Sequence, residues 1–353
     1  MSRIPEALPA ARTPDAASAP ALRWGVLGTG WIAERFIQSV QRHTRQQFTA
    51  IGSRNADRSA GFAARFGIPR WHGSYEQLVA DPGLDVVYVA TPHTAHLSGA
   101  RLALEAGKHV LVEKPLALNV AQAAEIAEVA AGKGLFCMEA LWTFFLPKFD
   151  VVRQILDSGM LGEIRTVLAD HGEHFAPDHR IMRPDLAGGP LLDLGTYPVA
   201  FATWVLPAAT RVQALGQPHP AGVNGQAAAV FCDPAGNQAV VHTTLFSDTP
   251  TTATVAGTHG TLTLPGPFYQ PGDIVFSSTA GDRRLTYTEP QTAHDALYFE
   301  AAEVARCITA GRLESPLRPV DDSIRTLRVM DEIRRQIGAG FPEDAVSPDH
   351  GAQ

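Results

Sequence analysis

Short apolar runs alternate with amphipathic stretches through the first third of the chain. RWGVL from Arg23, FTAIGS from Phe48, DVVYVA from Asp85, HVLVEK from His109 and LFCM from Leu135 have the length and apolar continuity of buried strands. Between them, WIAERFIQSVQRH, ADRSAGFAARFG, AHLSGARLALEAG and NVAQAAEIAEVAAGKG carry helical spacing. Asn55 and Asn119 stand where N-caps are expected, and Gly67, Gly107 and Gly132 where left-handed helix stops are expected. Buried strands alternating with helices predict a doubly wound, parallel α/β sheet over residues 22–142.

The pattern then changes. PKFDVVRQILDSG reads as one more helix. After it, GEIRTVLADHG, AAAVFCD, QAVVHTTLFSD, TATVAG and TLTLP alternate apolar and polar positions and are separated by Gly, Pro, Asn and Asp turns. These predict a large, mostly antiparallel open sheet in an α/β domain over residues 143–340. Two helices, Asp295 to Ala310 and Asp321 to Ile337, finish it. The length of 353 residues exceeds what one core usually holds, which agrees with two domains. Residues 1–21, rich in Ala and Pro, read as a disordered extension without the apolar run of a secretion signal, and residues 341–353 as a loose tail.

Composition narrows the function. The formal charge of −7 gives no basic field for nucleic acid or anionic lipid, and no stretch has the length of a membrane span. Cys137, Cys232 and Cys307 are far apart and form no C-x-x-C, so reduced thiols in the cytoplasm are expected.

The first strand runs into GTGWIA, with Gly28, Gly30 and Ala33 in G-x-G-x-x-G/A spacing. Gly28 allows the tight turn, Gly30 lets backbone approach a diphosphate, and Ala33 lets helix pack on strand. Thr29, Trp31 and Ile32 belong to the same loop and helix start, whose free N–H groups suit phosphate. This predicts a Rossmann dinucleotide-binding domain. The second strand ends in Ser53 and Arg54, where an NAD site usually places an acid, and no carboxylate precedes Asp57. Arg54, with Arg58 as a second candidate, can meet a 2′-phosphate, so NADP(H) is expected, with NAD(H) as the alternative. Thr91, Pro92 and His93 lie at the carboxyl edge of the sheet; His96 either touches ligand or begins the next helix.

GTGWIA, SRN, ATPHTAH, VEKP and GGPLLDLGTY, in this order, resemble the Gfo/Idh/MocA oxidoreductases from about Leu22 to Gly338. MEALWTFFLP and GGPLLDLGTYPV are most similar to the group containing dimeric dihydrodiol dehydrogenase, NADP-dependent xylose dehydrogenase and anhydrofructose reductase. The resemblance implies a Rossmann domain followed by a domain whose open sheet faces the cofactor and builds a homodimer or higher homo-oligomer. It implies small-molecule substrates: sugars, polyols and cyclic trans-diols. Phe144 departs from the Arg that this group commonly carries after W-T, near the expected substrate pocket, while Tyr197 fits the Tyr-using branch.

Alcohol oxidation needs a hydride acceptor and a group that takes the hydroxyl proton. Tyr197 is the candidate, and Lys114, at the end of a central strand, is expected to lower the phenol's pKa and to bind the substrate oxygen. Asp193, on the face of Tyr197 if the stretch is helical, is expected to orient Lys114 or a substrate hydroxyl. The resemblance implies a catalytic or substrate role for Asp193 and Tyr197. Glu113 is expected to reach the ribose or a backbone group, on the opposite face of the strand from Lys114. Pro115 leaves the sheet through a bond that the resemblance implies is cis in some relatives. Trp142 is expected near the nicotinamide or in the pocket wall, and His174 and Phe175 in the substrate pocket. DHGEHFAPDH lacks a strong ligand spacing, and no metal is expected. Two alternatives stay open: a non-catalytic NADP(H)-binding sugar sensor, and a cofactor-recycling glycosidase.

Overall fold

A computed structural model describes residues 5–341, which form two sheets. The first has the order β3-β2-β1-β4-β5-β6 with parallel pairings. Its strands are β1 (Arg23–Leu27), β2 (Gln47–Gly52), β3 (Arg70–His72), β4 (Val86–Val89), β5 (His109–Glu113) and β6 (Cys137–Ala140). The helices between them are α1 (Trp31–His43), α2 (Ala56–Phe66), α3 (Tyr75–Val79), α4 (His96–Glu105) and α5 (Val120–Lys133). β4 and β5 are buried along nearly their whole length because helices cover both faces, which is why they read as unbroken apolar runs.

Local chemistry sets most boundaries. Asn55 and Asn119 cap α2 and α5 by accepting from the Arg58 and Gln122 N–H groups. Gly67 closes α2 in the left-handed region. Gly132 lies inside α5 instead of ending it, and Gly134, at φ 63°, is the stop. β3 and α3 were not expected; they span three and five residues, too short to show a period.

After α6 (Pro147–Asp157), the second sheet has the order β14-β13-β12-β11-β7-β10-β9-β8. Its strands are β7 (Ile164–Gly172), β8 (Arg211–Pro218), β9 (Asn224–Cys232), β10 (Gln238–Thr244), β11 (Ala253–Gly257), β12 (Gly260–Leu264), β13 (Ile274–Ser278) and β14 (Arg284–Tyr287). Neighbours are antiparallel except β7 and β10. Helices α7 (Pro190–Asp193), α8 (Thr196–Val205) and α10 (Val320–Ile337) pack on this sheet, and α10 also touches α5 and β6. The opposite face of the sheet exposes Leu168, Leu215, Val230 and Val240. α9 (Tyr298–Thr309) packs on α1, preceded by a turn at Ala293–Ala296 where a longer helix was expected.

The leading stretch departs from expectation. Among its described residues, Ala16 and Ala19 are buried against Ala302 and Ala305 of α9. Arg12 pairs with Asp150 at 2.7 Å, and Arg306 donates to the Asp15 carbonyl at 2.8 Å. Alanines, small enough to seat against a helix, make this segment a strap and not a disordered extension. Of the expected loose tail, residues 342–353 lie outside the described residues.

Candidate active site

The chain turns outward on opposite sides at β1 and β4, and the glycine loop sits at that switch point. Gly28 has φ 107°, and a Cβ there would lie 2.4 Å from the Ala90 carbonyl oxygen, so only glycine fits. Gly30 caps α1, and an added Cβ would meet no atom within 4 Å. That free space opens on a cleft of about 1100 Å³, large enough for a dinucleotide together with a small substrate. Thr29, Trp31 and Ile32 line the same cleft, as do Ser53, Arg54 and Arg58. Ser53 donates to the Asn55 carbonyl, and Arg58 reaches back to the Thr29 carbonyl at 3.2 Å.

Thr91, Pro92, His93 and His96 form the next part of the wall. Thr91 Oγ1 and His93 Nδ1 are buried without a protein hydrogen-bond partner, which fits a polar ligand at this edge. His96 differs. Its nitrogens lie 2.8 Å from the Pro115 carbonyl and 3.1 Å from the Thr91 carbonyl, tying the ends of β4 and β5 together. Burial pushes its pKa down to about 4, and a neutral imidazole donates to one of the two.

β5 ends at Glu113, whose carboxylate accepts from the Tyr88 hydroxyl and, at 3.2 Å, from the Lys114 N–H. Glu113 lines the cleft, but its hydrogen bonds run inward. Burial raises its pKa to about 7. The Lys114–Pro115 bond is cis. Lys114 Nζ donates to Asp193 Oδ1 at 2.8 Å and to the Asp193 carbonyl at 2.7 Å. Arg180 Nη2 stands 2.9 Å from the other carboxylate oxygen. Burial disfavours the Asp193 anion, yet the Lys114 ammonium and Arg180 guanidinium outweigh it and hold the carboxyl far below the usual range.

Asp193 and Tyr197 do not share one helix: α7 ends at Asp193 and α8 begins at Thr196. A Cβ on Gly195, between them, would lie 2.6 Å from the Leu191 carbonyl oxygen. The kink brings both side chains to the cleft, with Lys114 Nζ 5.3 Å from the Tyr197 ring centroid. Trp142 Nε1–H donates to the Tyr197 hydroxyl at 3.3 Å. Burial first, then Tyr269, pushes the phenol's pKa well above its ordinary value, and the Trp142 N–H opposes them. The expected lowering by Lys114 is therefore not the resting arrangement, because that ammonium is committed to Asp193. Tyr197 rests as a protonated donor.

Three other expectations change. Trp142 is buried behind Tyr197 and does not line the cleft. Phe144 packs under the Arg318 guanidinium, 4.8 Å from its ring, and against Phe149 and Trp204, away from the cleft. His174 is exposed, with its N–H on Asp248, while neighbouring Phe175 does line the cleft. In DHGEHFAPDH, Asp170 accepts from the Thr251 and Thr252 N–H groups, and His171 stacks 4.8 Å from Tyr269. Among the described residues no three His, Cys, Asp or Glu side chains converge as metal ligands. The cleft also contains Arg180, Tyr269 and His294, which the sequence reading did not select.

Residues 22–141 match the profile of the Gfo/Idh/MocA oxidoreductase family, NAD-binding Rossmann fold, and residues 149–263 that of the Gfo/Idh/MocA C-terminal domain. The chain belongs to the Gfo/Idh/MocA oxidoreductase family. It is similar to the trans-1,2-dihydrobenzene-1,2-diol dehydrogenase of Bos taurus, 33% identical over 92% of this chain and 99% of that one. The Homo sapiens enzyme of the same name is 32% identical over the same shares. KijD10, a 3-ketoreductase from Actinomadura kijaniata crystallised with NADP and TDP-benzene, superposes with a TM-score of 0.79 at 28% identity, covering 90% of this chain and 98% of that one. Levoglucosan dehydrogenase, at 18% identity and a TM-score of 0.82 over 90% of this chain and 97% of that one, shares the fold.

Proposed function

We propose that this family member is an NADP-dependent oxidoreductase that moves hydride between nicotinamide and a secondary alcohol or carbonyl of a sugar, polyol or cyclic trans-diol. The observation that carries this reading is the meeting of Lys114, Asp193 and Tyr197 in the cleft that also contains the glycine loop. Bound nicotinamide supplies the hydride chemistry. The names of the relatives, a trans-diol dehydrogenase and an NADP-bound ketoreductase, support the substrate class and cofactor. Arg54 and Arg58 at the rim, with no acid beside Ser53, favour a 2′-phosphate.

In the reducing direction Tyr197 donates its phenolic proton to the substrate oxygen. Lys114 gives two of its three N–H groups to Asp193, leaving one for that oxygen. Asp193, itself anchored by Arg180, holds the ammonium in place, so little reorganisation is needed as charge develops. Tyr197, Tyr269 and His171 form a compact cluster, with centroids 4.2 Å (Tyr197–Tyr269), 4.8 Å (His171–Tyr269) and 5.7 Å (His171–Tyr197) apart, and line the cleft with aromatic surface for the C–H face of a ring. In oxidation the same phenol receives the proton.

The exposed sheet face supports a homo-oligomer. Val230, Val240 and Leu168 are direct neighbours across β9, β10 and β7, an apolar row continued by Thr254 and Thr263. A second copy seated there is the proposed partner. The free cysteines support a reducing, cytoplasmic setting, and no helix among the described residues is long and apolar enough to cross a membrane.

The test is an absorbance assay of NADPH and NADH with ketoses and sugar ketones, and of NADP+ and NAD+ with polyols and trans-diols. Turnover with the phosphorylated cofactor on at least one class is expected. Cofactor binding with no absorbance change across the panel would instead favour a sensor.

A further inference from the structure

The turn at Ala293–Ala296, which belongs to the second half of the chain, is fastened to α1 of the first sheet. Asp295 pairs with Arg42 Nη1 at 2.7 Å and His43 Nε2 at 3.0 Å, and its carbonyl accepts from Ser39 Oγ at 2.7 Å. Ser39 Oγ also accepts from the Tyr298 N–H at 3.0 Å. Ala293 is held at φ 45°, a conformation that a residue with a Cβ adopts only when its surroundings enforce it. The enforced turn presents one side chain to the cleft, His294.

His294 sits between two indoles. Its ring lies nearly parallel to Trp142, at 5.3 Å and 16°, and meets Trp31 edge-on at 4.9 Å and 79°. Trp31 is the first residue of α1, at the glycine loop, and is half exposed to the cleft. Trp142 is the residue whose N–H reaches the Tyr197 hydroxyl. Four rings thus run in contact from the place where a dinucleotide's diphosphate would sit to the proton-donating phenol.

We propose that His294 is a positioning residue for the reaction, a flat spacer between Trp31 and Trp142 that couples seating of the dinucleotide at the glycine loop to the Trp142 N–H on Tyr197. The inference rests on the reading of Tyr197 and the glycine loop given above. Its physical basis is planar packing. An imidazole wedged between two indoles restricts the tilt of both, so a ligand that fixes Trp31 also fixes Trp142. Removing the ring frees Trp142 to rotate and leaves the Tyr197 hydroxyl without its donor. A phenyl ring at the same place keeps the plane. The coupling is reciprocal, as linkage requires: loss of the spacer weakens cofactor binding as well as catalysis.

The experiment uses the full chain with NADPH and the best substrate of the panel. It measures NADPH affinity by tryptophan fluorescence, kcat and KM separately, and the pH dependence of kcat. His294→Ala is expected to weaken NADPH binding and lower kcat, each about three- to tenfold, the worth of one aromatic contact. Its alkaline limb should move upward, because the donor that opposes the raised phenol value is no longer fixed. His294→Phe should restore all three to within about twofold, an offset well inside that contact's range. Trp142→Phe, which leaves a smaller aromatic ring against His294 and deletes the N–H, should lower kcat and shift the limb with a smaller change in NADPH affinity than His294→Ala, and it tests the same chain of contacts if His294→Ala does not fold. Wild-type affinity, kcat and pH profile in His294→Ala overturn the inference, as does failure of His294→Phe to rescue or unchanged kcat in Trp142→Phe. A wild-type chain that neither binds NADPH nor turns over any substrate overturns the parent reading, a result distinct from active wild type with indifferent variants.

Discussion

Replacing Lys114 with Met removes the ammonium and keeps most of the side-chain volume. The charge lost stands 5.3 Å from the Tyr197 ring centroid, and at an effective dielectric of about 20 Coulomb's law gives roughly 3 kcal/mol for its stabilisation of a unit negative charge there. Asp193, 2.8 Å from the ammonium, cancels part of that field in the resting enzyme. The third N–H of Lys114 is lost as well, and deleting one donor to a developing oxyanion costs about 10²–10³ in kcat. The two effects act on the same oxygen and are not additive, so a fall of about 10²-fold in kcat is expected. NADPH affinity should change little, because the glycine loop and Arg54 are untouched. Asp193 keeps Arg180 at 2.9 Å, so the carboxylate is not left unpaired and the fold should survive. The assay is steady-state turnover at saturating NADPH, with affinity measured separately and unfolding in urea as the control. Wild-type kcat in Lys114→Met would refute the reasoning, as would a loss explained wholly by weaker cofactor binding.

Cofactor choice should be set at the rim of the second strand: Arg54→Ala with Arg58→Ala is expected to reduce the NADPH over NADH preference in kcat/KM by about tenfold or more, the scale of a lost charge-assisted phosphate contact. An unchanged preference would remove both residues from that role. Burial and its neighbour Glu113 hold Glu300 well above its ordinary pKa, and burial raises Glu113 to about 7. Above the unfolded value of 4.5 the unfolded chain releases these protons while the folded chain retains them, so this pair makes stability fall as pH rises through about 7. Glu300→Gln should flatten that slope and raise stability at neutral pH in urea unfolding; an unaltered slope would contradict the assignment. Val240→Arg, in the middle of the apolar row on the open sheet, should convert an oligomer to monomer in light scattering while leaving the monomer folded, and a wild-type chain that is already monomeric would dispose of that interface.

Much of the first sheet was legible because its strands are buried on both faces and its helices carry strong end signals. β1 and α1 fall at the expected residues, Arg23–Leu27 and Trp31–His43. The specific segments VEKP and GGPLLDLGTY pointed to Lys114, Asp193 and Tyr197, which the fold brings to one cleft. The spacing of the last two suggested a shared helical face, but the chain kinks at Gly195, and it is the kink that serves the geometry. β8, RVQALGQP, is half polar at a sheet edge and has no apolar run to betray it. The leading strap escaped notice because its anchors are distant: Arg12 finds Asp150, and Ala16 meets Ala302. Arg180, Tyr269 and His294 were missed for the same reason, being single residues on turns and loops whose value comes from what they meet across the cleft. Phe144 shows the converse. A resemblance placed it near substrate, whereas the turn at Trp142–Phe145 directs it under Arg318.

The central claim is that the phenol of Tyr197 transfers the proton that accompanies hydride transfer. Its most direct test is single-turnover oxidation of bound NADPH by wild type and Tyr197→Phe, with a saturating carbonyl substrate. Wild type should consume the cofactor, and Tyr197→Phe should bind NADPH equally well yet react about 10²–10⁴-fold more slowly, the range for loss of a general acid. Equal rates in the two proteins would contradict the account.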